Sequence, residues 1–454
     1  MTAIDFLDTQ RQAPAALVIG GGIAGIQAAL DIADAGFQVY LVERSPSIGG
    51  RMSQLDKTFP TLDCSACILT PKMVDAGRHP NIQLLTYSEV TQVSGEAGRF
   101  HVQIKKKPRY VEVDKCSGCG LCAEACRLSG RVTSDFNAGM AKRAAIYVPF
   151  PQAVPLVYTV DPEACVFLTR GVCGKTFKCK DACTADAVNF DQKEEMLEVD
   201  VATIITATGF DVFDPTRRPE LGYGQYPQVI TTLEFERLAS ASGPTAGRIS
   251  LNGNLPKKVV FIQCVGSRDA NIGVPYCSRV CCMAVAKQAH LAHDRLPGAE
   301  ITVFYIDIRA FGKGFEEFYD RVRAEGVLYR RGNPSEIIRR GDRLLVRAED
   351  ILLGENVEVE ADLVVLAVGI GPRQDAESVA QMLHLTQDVD GFFQEDHPKM
   401  RIVESGVPGI YLAGCCQGPK DIPDTVSHAK AAASAAMILL ARTEKEMVPA
   451  HAAD

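Results

Sequence analysis

The stretch from Ala16 to Met52 limits what this chain can fold into more than any other. It opens with the apolar run Ala16-Leu17-Val18-Ile19 and continues as Gly20-Gly21-Gly22-Ile23-Ala24-Gly25, which fits G-x-G-x-x-G. A helical run, Ile26 to Ala35, ends at Gly36, and a second apolar run, Gln38 to Val42, ends in Glu43. Strand, turn, helix, strand is the setting that a dinucleotide fingerprint requires. Gly20 lets the chain turn off the strand, Gly22 has no side chain to keep a pyrophosphate from the backbone, and Gly25 lets the helix pack on the sheet. The helix N-terminus offers free N–H groups and a positive dipole end to phosphates. Glu43 stands where a carboxylate accepts hydrogen bonds from a ribose diol. An ordinary glycine turn would account for the glycines but not for this surrounding order.

After Glu43 come Arg44 and Gly49-Gly50-Arg51-Met52. This resembles the second glycine doublet of the two-dinucleotide-binding-domain flavoproteins, such as thioredoxin and glutathione reductases, and implies FAD rather than NAD. On that resemblance Gly20, Gly22, Ile23, Ala24, Gly25, Glu43, Arg44, Gly50, Arg51 and Met52 are FAD-site residues. Ile82 to Leu85 reads as a strand, Tyr87-Ser88-Glu89-Val90 is placed to meet the adenine through its backbone, and Phe100 to Val113 reads as a hairpin. The flavoprotein pattern then stops, and resumes at Leu197. Val201 to Ile205 is a buried strand, followed by Ala207-Thr208-Gly209, a segment that commonly closes the first FAD half in this superfamily. About 80 residues are thus inserted between two strands of one domain, enough for a small domain.

Composition sets bounds. With 454 residues the chain has room for two or three domains and a large core. A net charge of −8 argues against a nucleic-acid surface, and Lys105-Lys106-Lys107 reads as a solvated strand end. Ala13 to Leu30 is uncharged and long enough to suggest a membrane span, but the fingerprint explains it. Asp5 and Asp8 precede it where a signal peptide would be basic. The expectation is a cytoplasmic protein without membrane insertion.

Sixteen cysteines without a secretion signal point to metal or redox chemistry. Cys116, Cys119, Cys122 and Cys126 have the C-x2-C-x2-C-x3-C spacing of ferredoxins, with zinc as the competing reading. In two-cluster ferredoxins each fourth cysteine crosses to the other cluster. By that logic Cys116, Cys119, Cys122 and Cys183 hold one [4Fe–4S] cluster. A second, irregular set, Cys126, Cys165, Cys173 and Cys179, is the candidate for another. Cys64 and Cys67 are open to three readings: a redox pair, cluster ligands, or buried thiols. Cys264, Cys277, Cys281 and Cys282 are plain core thiols, or a non-standard cluster site if they converge.

Residues 257–372 read as a second α/β unit, with strands at Lys258–Ile262, Ile301–Ile306 and Asp362–Val368 and helices over 278–294 and 315–325. In reductases of the superfamily this unit binds NAD(P)H. Here the turn after its first strand, Gln263-Cys264-Val265-Gly266-Ser267-Arg268-Asp269, keeps one glycine of three, so no nicotinamide nucleotide is expected to bind. The chain then returns to the FAD domain. Gly409 to Gly414 resembles the late FAD strand, with Cys415-Cys416 where the superfamily places Asp. Asp424-Thr425 is the expected cap of a last helix over 426–441, whose N-terminus would point at the flavin pyrimidine. Thr208, Gly209, Gly414, Cys415 and Thr425 complete the FAD set, with Val90 at the adenine. His290 and His293 read as a helix surface pair, and no catalytic triad stands out.

The segments Gly49–Met52, Thr61-Leu62-Asp63-Cys64-Ser65-Ala66-Cys67 through Met73, Cys116–Cys126, Ala145–Pro155, Cys264–Asp269 and Gly414–Asp421 together resemble the A subunit of heterodisulfide reductase. In methanogens that family carries FAD and several [4Fe–4S] clusters, forms homodimers and passes electrons to partner subunits. Without the family's outer domains, the chain is similar to the short form in the Hdr-like complex of sulfur-oxidising bacteria. The resemblance implies an electron-transfer subunit of an oxidoreductase, with substrate chemistry on other Hdr-like subunits and sulfur-compound oxidation as the setting. Two rival functions are a stand-alone Cys64/Cys67 disulfide oxidoreductase and the flavoprotein subunit of a quinone-interacting complex.

The fold expected is therefore α/β, thioredoxin-reductase-like, with an inserted ferredoxin-like domain. Its parts are FAD-binding (1–114), ferredoxin-like (115–195), FAD-binding (196–256), degenerate NAD(P)H-type (257–372) and FAD-binding (373–454).

Overall fold

A computed structural model describes residues 14–447 except 175 and 252; the acidic lead carrying Asp5 and Asp8 lies outside the described residues. The apolar runs form a seven-stranded sheet in the order Glu395–His397, Arg401–Ser405, Ile410–Leu412, Thr203–Thr206, Ala15–Ile19, Gln38–Glu43, Ile82–Thr86. The last five strands run parallel. The fingerprint helix Ile23–Asp34 and the final helix Ile422–Met447 share one core, touching through Ala28, Ala29, Ala432, Ala433 and Ala436. Small side chains let the two axes approach closely.

Arg99–Lys106 is a single strand rather than the expected hairpin. It pairs antiparallel with Ser88–Glu96 on one side and with Glu195–Val201 on the other. The chain between Lys106 and Glu195 therefore leaves and re-enters one small sheet. Lys105, Lys106 and Lys107 are not merely solvated, since they pair with Glu194, Glu195 and Glu89. The excursion carries its own apolar cluster around Val111, Ile146, Val157 and Val188. Arg109 anchors its entry, donating to Thr159 Oγ1, Pro46 O and Thr86 Oγ1 from a buried position. Phe150 and Ala153 join the main core, and Ile48 N donates to Val154 O at 3.1 Å.

The second unit has a five-stranded parallel sheet, Val229–Thr231, Leu363–Val368, Lys258–Val265, Glu300–Tyr305, Leu328–Arg331. Its first edge strand and the helix Thr232–Ala239 come from the stretch expected to continue the FAD part (196–256). The chain crosses between units where Asp211–Val212 pairs with Ile370–Gly371, so everything between these two strands lies on the far side. Among the described residues no helix is long and apolar enough to cross a membrane.

The last helix starts four residues earlier than expected. Asp421 caps it, its Oδ1 accepting from Asp424 N at 2.8 Å, and Asp424 and Thr425 lie inside the first turn. Pro423 is tolerated there because first-turn N–H groups have no intrahelical partner. His290 and His293 do not pair. His290 faces Glu325 on the neighbouring helix at 2.8 Å, and His293 is exposed.

A Cβ on Gly25 would lie 1.8 Å from the Gly20 carbonyl oxygen. Gly25→Ala is expected to cost about 1–3 kcal/mol as overpacking, read as a lower denaturation midpoint; an unchanged midpoint would contradict this packing.

Candidate functional site

A cavity of about 1400 Å³ runs past the ends of the central strands. Fourteen of the sixteen residues expected for FAD line it; Gly25 and Gly414 do not, and shape it from behind. Gly20 has φ +110°, and a Cβ there would lie 2.3 Å from Ala207 O. No protein atom comes within 4 Å of where a Gly22 Cβ would be. The space that only glycine leaves is thus open to the cavity, as a phosphate needs. Glu43 is buried and accepts from Gly21 N and Ser45 N, both at 2.7 Å. A carboxylate has about four acceptor positions, so capacity remains for a diol. Val90 sits at a bulge in its strand. Arg44 and Arg51 reach across the cavity to Asp375 and Asp211 at 2.5 and 3.1 Å.

The far wall holds groups that the sequence does not single out. Lys287 and Glu236, both 3% exposed, form an ion pair of 2.5 Å facing the cavity. Lys287 also donates to Lys57 O at 2.8 Å, and Glu236 accepts from Asp56 N at 2.9 Å. Only a fold that brings three distant segments together reveals this pair. The excursion supplies another wall through Asp135, Phe136, Asn137 and Tyr147. Phe136 stacks on Phe150 at 4.6 Å and lies under the buried Arg237 guanidinium, which also donates to Asn137 and to Gln54 O.

At the other end Cys415 contacts Thr425 Oγ1 at 3.8 Å, and burial pushes its thiol up. Lys420 lines the same end. Behind it His428, for which the sequence holds no signal, accepts from Gly414 N at its Nδ1 (3.0 Å), so its Nε2–H donates to Ile402 O (3.1 Å). Burial first, and the Lys420 charge second, bring its pKa down to about 4.

The cysteines of the excursion surround two small cavities. One is ringed by Cys116, Cys119, Cys122 and Cys183, the other by Cys126, Cys165, Cys173 and Cys179. The loop of the first turns through Gly118 and Gly120 at φ +72° and +92°. Burial and then Cys116 and Cys183 push the Cys122 thiol up to about 12. Burial and then Cys126 and Cys165 push Cys179 up to about 11. Cys119 goes the other way, because the Leu121 N–H and the Ser117 hydroxyl favour its thiolate. Phe167, Phe177 and Phe190 pack around the second cavity.

In the second unit burial pushes the Cys264, Cys281 and Cys282 thiols up, with neighbouring thiols adding to it: Cys282 and Cys277 for Cys264, Cys264 and Cys282 for Cys281, and Cys277 for Cys282. Cys64 and Cys67 form a disulfide, so they are not buried free thiols. Among the described residues no three His, Cys, Asp or Glu side chains close on a point as a single ion would require. A cubane instead spreads its thiolates over four irons.

The nucleotide turn of the second unit is filled by the protein itself. A Cβ on Gly266 would lie 2.0 Å from the Phe213 ring. Asp307, just past the strand Glu300–Tyr305, is clamped by Arg268 at 2.7 and 2.9 Å and by Arg309 at 3.3 Å.

Two family models match the chain: FAD dependent oxidoreductase over residues 16–64, and pyridine nucleotide-disulphide oxidoreductase over 174–433. The chain belongs to the pyridine nucleotide-disulphide oxidoreductase family. FAD is thus the cofactor that both the family and the cavity support. The chain is 52% identical over 438 residues to the A subunit of the H(2):CoB-CoM heterodisulfide,ferredoxin reductase of Methanothermobacter marburgensis, covering 96% of this chain and 65% of that protein. It is 53% identical over 439 residues to the second iron-sulfur A subunit of the CoB–CoM heterodisulfide reductase of Methanopyrus kandleri, again covering 96% and 65%. Against the A subunit of the ferredoxin:CoB-CoM heterodisulfide reductase of Methanosarcina mazei it is 46% identical over 437 residues, 95% of this chain and 54% of that one. The resemblance to these A subunits thus spans nearly the whole chain, while the chain spans 65% or less of these relatives. Thioredoxin reductase of T. acidophilum shares the fold, with a TM-score of 0.51 at 14% identity over 95% of this chain and 98% of that one.

Two outcomes are expected. NADH and NADPH will neither bind nor bleach the flavin-loaded protein in a spectral titration; bleaching by either would contradict the filled turn. His428 takes up its proton in the unfolded chain near pH 6.5 but in the folded one only near pH 4. Its neutral form therefore stabilises the fold above pH 6.5, and this contribution is lost as pH falls to 4. His428→Gln can keep both hydrogen bonds. Between pH 6.5 and 4 the parent should lose about 3 kcal/mol more than this variant in denaturant titrations; equal losses would contradict the assignment.

Proposed function

We propose that this chain is an FAD- and [4Fe–4S]-containing electron-transfer subunit of a heterodisulfide-reductase-like complex. The observation that carries the reading is the double role of the excursion: it holds two four-cysteine cages and also walls the dinucleotide cavity. Each cage offers four thiols, the ligand count of a [4Fe–4S] cluster. Residues 115–195 are read as the inserted ferredoxin-like domain on that basis.

FAD, when bound, exchanges electrons in pairs or singly. The residues around it hold and tune it. Gly22 and the fingerprint helix receive the pyrophosphate, Glu43 the ribose, and Thr425 and Lys420 the end nearest the last helix. The Lys287–Glu236 pair is a fixed dipole against the opposite wall. The eight cage cysteines would hold clusters that carry electrons singly. In the second unit the four thiols Cys264, Cys277, Cys281 and Cys282 are read as a further cluster site, four thiols being the ligand count of such a cluster.

The partners are other subunits of such a complex, handling the disulfide or sulfane sulfur. The homodimer, the cytoplasmic site and the sulfur-oxidising setting enter through the resemblance to the A subunit of that family. Anaerobically purified protein is expected to hold about one FAD and about twelve irons per chain, with [4Fe–4S] EPR signals on reduction. Cys183→Ala should lose about four of those irons. Yellow protein without acid-labile sulfide would overturn the reading.

A further inference from the structure

Seven buried side-chain nitrogen or oxygen atoms have no hydrogen-bond partner among the described residues. None of them belongs to a residue that lines either cage of the excursion. One is Nε2 of Gln263, a side chain only 2% exposed that stands directly before Cys264. A primary amide carries two N–H donors, and burying them unpaired is costly. The same amide meets a cysteine through its other atom, since Oε1 lies 3.5 Å from the Cys282 sulfur. Packing alone does not explain a glutamine here, because an apolar side chain would fill the space without that cost.

The backbone is bent to put it there. Lys258–Val265 pairs in register with Leu363–Val368 as far as Ile262, then takes three steps to Val265 against two on its partner. Such a bulge adds a residue and re-aims side chains. Cys264, at φ +60°, is the left-handed residue within it. Successive side chains of a regular strand point to opposite faces. Here Gln263 touches Cys282, and the Cys264 thiol is pushed up by burial and then by Cys282. Two consecutive residues thus both address the start of the helix Cys281–Arg295. Other donors reach the same group of sulfurs. Arg279 N donates to Cys277 Sγ at 3.3 Å, and the Arg309 N–H favours the Cys282 thiolate against the larger effect of burial. Arg268 and Arg279 also hold positive φ, at +59° and +63°, and strained non-glycine backbone gathers at functional sites.

We propose that the Gln263 side-chain amide donates a hydrogen bond to the Cys282 sulfur when Cys264, Cys277, Cys281 and Cys282 hold a cluster, and so raises that cluster's reduction potential. The proposal rests on the cluster reading of these four thiols. A free Cys282 thiol gives its proton to Oε1. A ligating thiolate has no proton to give, and its charge repels the carbonyl oxygen. A half-turn of the amide exchanges two ends of nearly equal shape and sets Nε2–H against the sulfur. The unpaired donor then has its acceptor. Reduction places added negative charge partly on the sulfurs, so a donor held against one of them favours the reduced state. Cys281 and Cys282 are both buried, so water does not supply the bond instead.

The test is a redox titration of the anaerobic holoprotein, with each cluster followed by EPR. The signal that Cys281→Ala abolishes identifies the cluster in question. Gln263→Met keeps the bulk and removes the donor. Its cluster should keep its irons and titrate at a lower potential than in the parent, with the other clusters unmoved. Parent protein labelled with 15N in its glutamine side-chain amides should show a 15N coupling to that cluster in pulsed EPR, and Gln263→Met should lose it. If Gln263→Met sheds the irons of this cluster, the coupling in the labelled parent decides alone. An unmoved potential in Gln263→Met, or a labelled parent without the coupling, would overturn the proposal and leave the cluster reading standing. Parent protein holding about eight irons instead of about twelve, with every EPR signal surviving Cys281→Ala, would overturn the cluster reading as well.

Discussion

The arrangement depends on one antiparallel pairing. Seven residues of Glu195–Val201 sit in register against Lys106 to Phe100. Both ends of a long, loop-rich excursion are thereby fixed to one small sheet. The excursion is then tied down along its length, by Arg109 to the loop after Gln38–Glu43 and by Val154 to Ile48 and Ser47. Arg237 ties it to the second unit through Asn137 and Phe136. Electron transfer falls off steeply with distance, so cysteine cages on a tethered loop would be of little use. Cages on a segment that also forms the cavity wall keep their distance from whatever the cavity holds.

The electrostatics point the same way. Buried thiols beside one another resist ionising, because each thiolate loses its water and meets another negative charge. Cys122, Cys179, Cys264 and Cys281 all show this. On the proposed reading, iron would turn the same crowding into a ligand set. In the second unit the Phe213 ring and the Arg268–Asp307 clamp occupy the space beside the turn after its first strand.

Much of this is legible in the sequence. The fingerprint follows from spacing and glycine placement, and the division of the eight excursion cysteines into two sets comes from the crossing pattern of two-cluster ferredoxins, the same division that lines the two small cavities. What is not legible has physical causes. Phe100 to Val113 reads as a hairpin because nothing in its alternation shows that the second partner of Arg99–Lys106 lies some 90 residues later. The cap of the last helix reads as Asp424 because Asp421 and Asp424 are both good capping residues, and only backbone geometry separates them. The edge strand Val229–Thr231 is too short to show which sheet it joins. Lys287, Glu236 and His428 have no motif; their roles come from burial and from neighbours far away in the chain.

The central claim is that iron sits in the excursion, against the flavin cavity. Anomalous scattering at the iron edge, from crystals of protein handled without oxygen, tests it most directly. The account predicts strong iron peaks inside the cage of Cys116, Cys119, Cys122 and Cys183 and inside that of Cys126, Cys165, Cys173 and Cys179, beside flavin density in the large cavity. Flavin density with no iron in either cage would contradict it.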